Sequence, residues 1–297
     1  MGSFLNVCIS RLPRHESIVT PRSRCPECGA AIRWYDNIPI LSWVFLRARC
    51  RDCHQRVPLR YPAVELVTGL WFLICAGTTL TRLSRSHDFG GALSASDVPT
   101  IIVALSTAIL GFLLIGLIVM DWQTHLLPNA FTLTGIAIGV FLVCTQAIFL
   151  NPHEGDIVLN TTRQLRMSSP GSNAVHGNIF LTGTEALVWG RVVAILAAAG
   201  LLLLVRWTYK LIRHREGLGL GDVKLLAMIA AFLGFWPAII ALFIGVFSAS
   251  VYGVFLLVRG RATALTKLPL GSFISAGGLI AALYGSRLIE MYTAALQ

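Results

Sequence analysis

Residues 217–236 read GLGLGDVKLLAMIAAFLGFW and follow the basic run RWTYKLIRHR at 206–215. Beyond Asp222 and Lys224 no charged residue appears until Arg259. Such a stretch belongs in a bilayer, where about 20 apolar residues in a helix cross the hydrocarbon. Asp222 therefore stands where the chain enters the membrane, behind a loop with glycines at 217, 219 and 221. A carboxylate at that depth is costly and calls for a functional reason.

The rest of the chain agrees. Its 297 residues are 55% hydrophobic and 13% charged, against about 25% charged in soluble domains, and mean hydropathy is +0.72. Apolar runs predict seven spans, at about 62–80, 98–120, 130–150, 186–206, 223–236, 238–258 and 270–288. The fifth is short, and Pro237 suits a tight hairpin into the sixth. Backbone groups in lipid must satisfy one another, so the expected fold is all-α, a polytopic transmembrane helical bundle.

The net charge of +10 invites a nucleic-acid reading, but its distribution follows topology. Ten arginines lie in residues 11–60, four cations in 206–215 and three in 259–267. Seven spans place all three groups on one face, which the positive-inside rule makes cytoplasmic. Membrane lipids, not nucleic acid, are the expected surroundings, and the start MGSFLNVCISRLP lacks the order of a cleavable signal peptide. The expected organisation is a cytoplasmic segment at 1–61 and a membrane bundle at 62–297, with the polar stretch 151–185 as an extracytoplasmic loop.

The cytoplasmic segment holds Cys25, Cys28, Cys50 and Cys53, two CxxC pairs separated by 21 residues. That spacing suits one four-thiolate zinc site, with Gly29 easing the first turn. Disulfides are the competing reading, disfavoured where thiols stay reduced. Zinc would cross-link a segment too small to fold by apolar burial alone.

Asp121, in IGLIVMDWQTHLLPN, ends the second span on the same face as Asp222. Two carboxylates at matched depth suggest an aspartyl dyad, which shares one proton because adjacent charges cannot both ionise easily. The ionised member takes a proton from water while the protonated member donates to a scissile carbonyl. Gly219 and Gly221 would allow unusual backbone angles and close approach of an extended substrate. The competing reading makes Asp222 a helix cap. Lys224 reads as an interfacial anchor, His125 as an interfacial polar residue, and Pro128 with Asn129 as the opening of the next helix.

Together GSFLNVCISRLP, the two CxxC pairs, IRWYDNIPILSWVFLRARC, RYPAVELVTG, DWQTHLLPN, GLGLGDVKLL and the late LPLGSFISAGGLI resemble the type IV prepilin peptidases, or leader peptidase/N-methyltransferases. The resemblance covers almost the whole chain. It implies a membrane aspartyl protease of the GxGD type in the bacterial inner membrane, with Asp121 and Asp222 as the catalytic pair. It implies cleavage of the basic leader from prepilins or pseudopilins at the cytoplasmic face. It further implies methylation of the new N-terminus with S-adenosylmethionine, an activity associated with the cysteine-bearing segment. The family usually carries a membrane helix ahead of GSFLNV, whereas that segment begins here at Gly2, and the stretch 151–185 is longer than the resemblance suggests. Two alternatives remain open: a GxGD protease without methylation, and a transporter using both aspartates as a proton relay. No inverted repeat of the transporter kind is visible.

Overall fold

The computed structural model of the chain describes residues 1–14, 16–20, 22–25, 27–38, 40–86, 97–149, 185–213, 219–260 and 268–295. The expected outer loop lies outside the described residues, apart from Glu185. Among the described residues the fold is helical, with two isolated bridges, Arg24 to Ala31 and Arg49 to Arg56. The helices are α1 (Gly2–Arg11), α2 (Leu41–Phe45), α3 (Arg60–Ser86), α4 (Val98–Thr124), α5 (Asn129–Phe149), α6 (Glu185–Arg213), α7 (Leu220–Leu233), α8 (Phe235–Val258) and α9 (Leu270–Ala295).

Helices α3 to α9 fall on the seven predicted runs. Five of them, α3, α4, α5, α6 and α8, are long and apolar enough to cross a membrane, and α9, bent by 66° between Leu270–Gly285 and Arg287–Ala294, makes a sixth. Helix α7 has 14 residues. At 1.5 Å per residue it reaches about 21 Å, short of the roughly 30 Å hydrocarbon core. It can be short because it is enclosed. Leu225, Leu226, Met228, Ile229, Ala230 and Ala231 are fully buried, packed by α4, α5, α6, α8 and α9.

The turn from α7 into α8 is made by Gly234, at φ +93° and ψ −179°, a conformation open to glycine and strained for other residues. Pro237, the expected hinge, instead lies in the first turn of α8, where a missing N–H is tolerated. Close contact then locks the bundle. A Cβ on Gly245 of α8 would stand 2.7 Å from Ile274 Cα of α9, the small-residue packing that membrane helices use.

Helix α1 joins this bundle. Its Leu5, Cys8 and Ile9 are buried against α3 and α4. Gly2 lies so close to α3 that a Cβ there would stand 2.6 Å from Glu65 Cα.

Candidate active site

Asp121 lies in the last turn of α4 and Asp222 in the first turn of α7. The link from α4 to α5 brings their surroundings together through Leu127. A Cβ on Gly221 would stand 3.1 Å from Leu127 Cδ1, and one on Gly271 would stand 2.9 Å from the same atom. The starts of α7 and α9 thus converge on one loop. The two carboxylates come near enough for their charges to interact.

Asp121 is 5% exposed. Its Oδ2 accepts the Ser272 N–H at 2.7 Å and the Ser272 hydroxyl at 3.1 Å, and that hydroxyl also reaches Ile118 O at 2.9 Å. The carboxylate therefore rests on the first turn of α9, where amides lack helical partners and the helix dipole favours negative charge. Asp222 is the third residue of α7 and takes a hydrogen bond from the N–H of Gly219, the residue capping that helix. This reach-back resembles one half of a capping box, so the capping role is real. A cap alone, however, gives no reason for a second carboxylate beside it. Two acids at neighbouring helix ends, near enough for their charges to interact, form a candidate acid–base pair.

The glycines act otherwise than expected. Gly219 has ordinary extended angles, φ −74° and ψ 147°, and Gly221 is helical. Among the described glycines positive φ occurs instead at Gly29, Gly234 and Gly260. Close approach is the better reason at Gly221, which packs on Leu127. Lys224 also differs from a free anchor: its Nζ donates to Asn129 Oδ1 at 2.8 Å, tying α7 to the start of α5. His125 is exposed and ends α4 in the left-handed region, its N–H on Asp121 O at 2.9 Å.

Gly271 and Ser272 are site residues that the motifs did not single out. A Cβ on Gly271 would stand 3.1 Å from Asp121 Oδ2. The one available signal was PLGS ahead of an apolar run, which marks a helix start. Nearby, Trp122, Tyr252 and Phe273 form an aromatic group with ring centroids 5.5–6.2 Å apart, joining α4, α8 and α9 at this end.

The cysteine segment forms a second centre. The Sγ atoms of Cys25, Cys28, Cys50 and Cys53 lie within 4.8 Å of one another, and Cys25 Sγ stands 3.8 Å from Cys53 Sγ. Tetrahedral bonds of about 2.3 Å to one metal place sulfurs about 3.8 Å apart, so the four cysteines are placed to bind a metal. Two knuckles build the cluster. Cys25 N–H donates to Ala30 O and Cys50 N–H to Gln55 O, at 2.9 and 2.8 Å. The residue after each second cysteine, Gly29 or His54, takes positive φ, +70° and +57°. Backbone N–H groups of Cys53 and Asp52 pull the Cys50 thiol down to about 7. At Cys53 the Gln55 amide pulls downward, but desolvation and the thiols of Cys28, Cys50 and Cys25 outweigh it and push that thiol up to about 12. Crowded sulfurs that cannot all carry charge unaided suit a cation between them. Beside them Arg51 grips Asp36, Nε to Oδ2 at 2.9 Å, and holds that carboxyl below its ordinary value.

Residues 1–79 match the bacterial peptidase A24 N-terminal domain, and residues 172–254 match the type IV leader peptidase family. A prepilin leader peptidase/N-methyltransferase of Burkholderia pseudomallei (strain K96243) is 31% identical over 96% of this chain and 82% of its own length. The chain belongs to the type IV leader peptidase family. A Myxococcus xanthus (strain DK1622) protein of the same name is 35% identical over 90% of this chain, which spans 63% of that relative. One from Dichelobacter nodosus is 29% identical over 98% of this chain and 91% of its own length. No solved structure matches. With five to six membrane-capable helices and these relatives, this family member is a multi-pass membrane protein. Its two matched stretches hold the four cysteines and Asp222; Asp121 lies between them and stands beside Asp222 only in the fold.

Proposed function

We propose that this chain is a prepilin peptidase and N-methyltransferase of the bacterial inner membrane, working at the cytoplasmic face. The observation that carries the peptidase half is the meeting of Asp121 and Asp222 at one end of the bundle. A prepilin or pseudopilin would lay its apolar helix in the bilayer and present the leader junction to that end. One aspartate takes a proton from water as it attacks the scissile carbonyl, while the other donates its proton to the carbonyl oxygen; as the C–N bond breaks, the first gives the proton it took to the leaving amine and the second recovers its own from the hydroxyl. The Ser272 N–H, fixed on Asp121 Oδ2, favours Asp121 as the ionised member and Asp222 as the acid. Gly219 and Gly221 border the path of the substrate strand.

The cysteine cluster holds one structural Zn2+ through Cys25, Cys28, Cys50 and Cys53. S-adenosylmethionine, when bound, supplies the methyl group for the new N-terminus. The reading is tested by incubating the purified, metal-loaded protein with a leader-bearing prepilin, with and without S-adenosylmethionine. Mass spectrometry should find the shortened product in both samples, and a product heavier by one methyl group only with the donor. Intact prepilin in both samples would refute the peptidase reading, and cleavage without methylation would refute the transferase half.

A further inference from the structure

This inference rests on the N-methyltransferase half of the proposed function. Among the described residues four buried side-chain polar atoms lack a partner, and two of them, Asn6 Oδ1 and Arg60 Nε, belong to one junction. There α1 crosses α3. Gly2 rests on Glu65, while Asn6 Nδ2 donates to Tyr61 O at 3.0 Å, so the helices run in opposite senses. Asn6 is 6% exposed. A carbonyl oxygen so buried loses its water and gains nothing in return.

Glu65 lies one helical turn beyond Tyr61. It has no ion-pair partner among the described residues, although the amine of Met1 is near enough to interact with it. Its Oε2 accepts the Ile40 N–H at 3.0 Å. Ile40 has φ +61° and ψ −50°, a strained setting for a β-branched residue. The cysteine-bearing segment is thus bent down onto this carboxylate. Arg60, next to Tyr61, bonds Gln123 Oε1, two residues past Asp121, so the junction lies at the dyad's end of the bundle. Docking of Ile40 uses one oxygen of Glu65. It leaves Asn6 Oδ1 and Arg60 Nε unexplained.

We infer that the α1–α3 junction binds the α-amine of the cleaved substrate, with Glu65 as the base that takes its proton. Asn6 Oδ1 and Glu65 offer acceptors, which a primary ammonium matches with its N–H donors. Arg60 Nε offers one donor, which suits a carbonyl oxygen of the same peptide. S-adenosylmethionine carries an ammonium of its own, so recognition of the peptide amine is read with no methyl donor present. Glu65 accepts one proton from the ammonium, and the freed nitrogen lone pair forms the bond to the methyl carbon of the sulfonium donor. The carbon–sulfur bond breaks with its electron pair on sulfur. The products are a secondary ammonium, a thioether and the proton on Glu65.

Glu65→Gln keeps an acceptor for Ile40 but can neither hold the charge nor take the proton. The full-length, metal-loaded protein is given a fluorescent apolar peptide with a free α-amine, and the same peptide N-acetylated, without any methyl donor. Wild type should bind the free amine about tenfold more tightly than the acetylated form. Glu65→Gln and Asn6→Leu should each erase most of that preference. With radiolabelled S-adenosylmethionine, Glu65→Gln should methylate the free-amine peptide at least 100-fold more slowly while cleaving a leader-bearing peptide at the wild-type rate. An unchanged preference for the amine, or methylation within threefold of wild type, overturns the assignment. Loss of cleavage together with methylation in Glu65→Gln also overturns it, in favour of a purely structural joint. Wild type that cleaves but never methylates instead removes the transferase reading on which the assignment rests.

Discussion

Asp121 owes its setting to one serine 151 positions away. Removing a hydrogen bond to a charged group costs about 1.5–3 kcal/mol, but Ser272→Ala keeps the amide donor to Asp121 and loses the hydroxyl contacts to Asp121 Oδ2 and Ile118 O. Its kcat for leader cleavage should fall about fivefold, or roughly 1 kcal/mol of barrier, with KM nearly unchanged. Ser272→Thr should recover most of the loss. Gly271→Ala should be worse, because its Cβ would press on Asp121 Oδ2 at 3.1 Å and on Leu127 at 2.9 Å. Cleavage should drop more than tenfold while far-ultraviolet circular dichroism stays that of wild type. At this scale the sequence was legible where chemistry is scarce. A carboxylate at a membrane edge and a CxxC pair stand out against apolar neighbours. A serine at a helix start does not, because nothing in its local pattern reports the distant carboxylate it meets.

The helices themselves were readable to within a few residues, since their apolar runs had to bury or face lipid. Their ends were less so: α6 continues to Arg213, beyond the apolar run at 186–206, because a helix need not stop where its side chains become polar. The hinge at Gly234 was missed in favour of Pro237. Glycine is common in membrane helices, and its sequence alone does not announce a positive φ. Gly234→Ala forces that backbone on a residue with a Cβ, at about 1–3 kcal/mol, and brings the Cβ to 2.9 Å from Arg191 Nη1. Its thermal unfolding midpoint in detergent should fall clearly below that of wild type. For the cysteine segment, thiolates rather than thiols bind metal. Each ligand thiol must give up its proton to bind, so metal is held less tightly as pH falls; Cys50, drawn down to about 7, gives up its proton more readily than Cys53, pushed up to about 12. Dialysis should leave about one zinc per chain at pH 7.5 and much less at pH 5.5. Cys50→Ser should lower the metal content even at pH 7.5, while leader cleavage persists.

Across the whole molecule, the active end is defined by three helix termini, and the short α7 sits enclosed in the bundle. The positive-inside count rests on α7 carrying the chain from the end where α4 finishes to the start of α8, and the faces agree. Contacts between Gly221, Gly271 and Leu127 put the starts of α7 and α9 at the end where α4 finishes. A substrate helix resting in the bilayer then sets which bond meets the dyad. The leader's charge meets a face that is itself basic and screened by anionic lipid. In anionic liposomes, shifting the leader–helix junction by several residues should impair cleavage more than neutralising one leader lysine. The measurement that tests the central claim most directly is leader cleavage by Asp121→Asn and by Asp222→Asn, each purified from membranes with wild-type thermal stability. Asn keeps the shape but cannot hold or move the shared proton, so each variant should lose at least about 100-fold in rate, at the lower end of what acid–base groups supply. Near-normal cleavage by either variant would contradict the dyad.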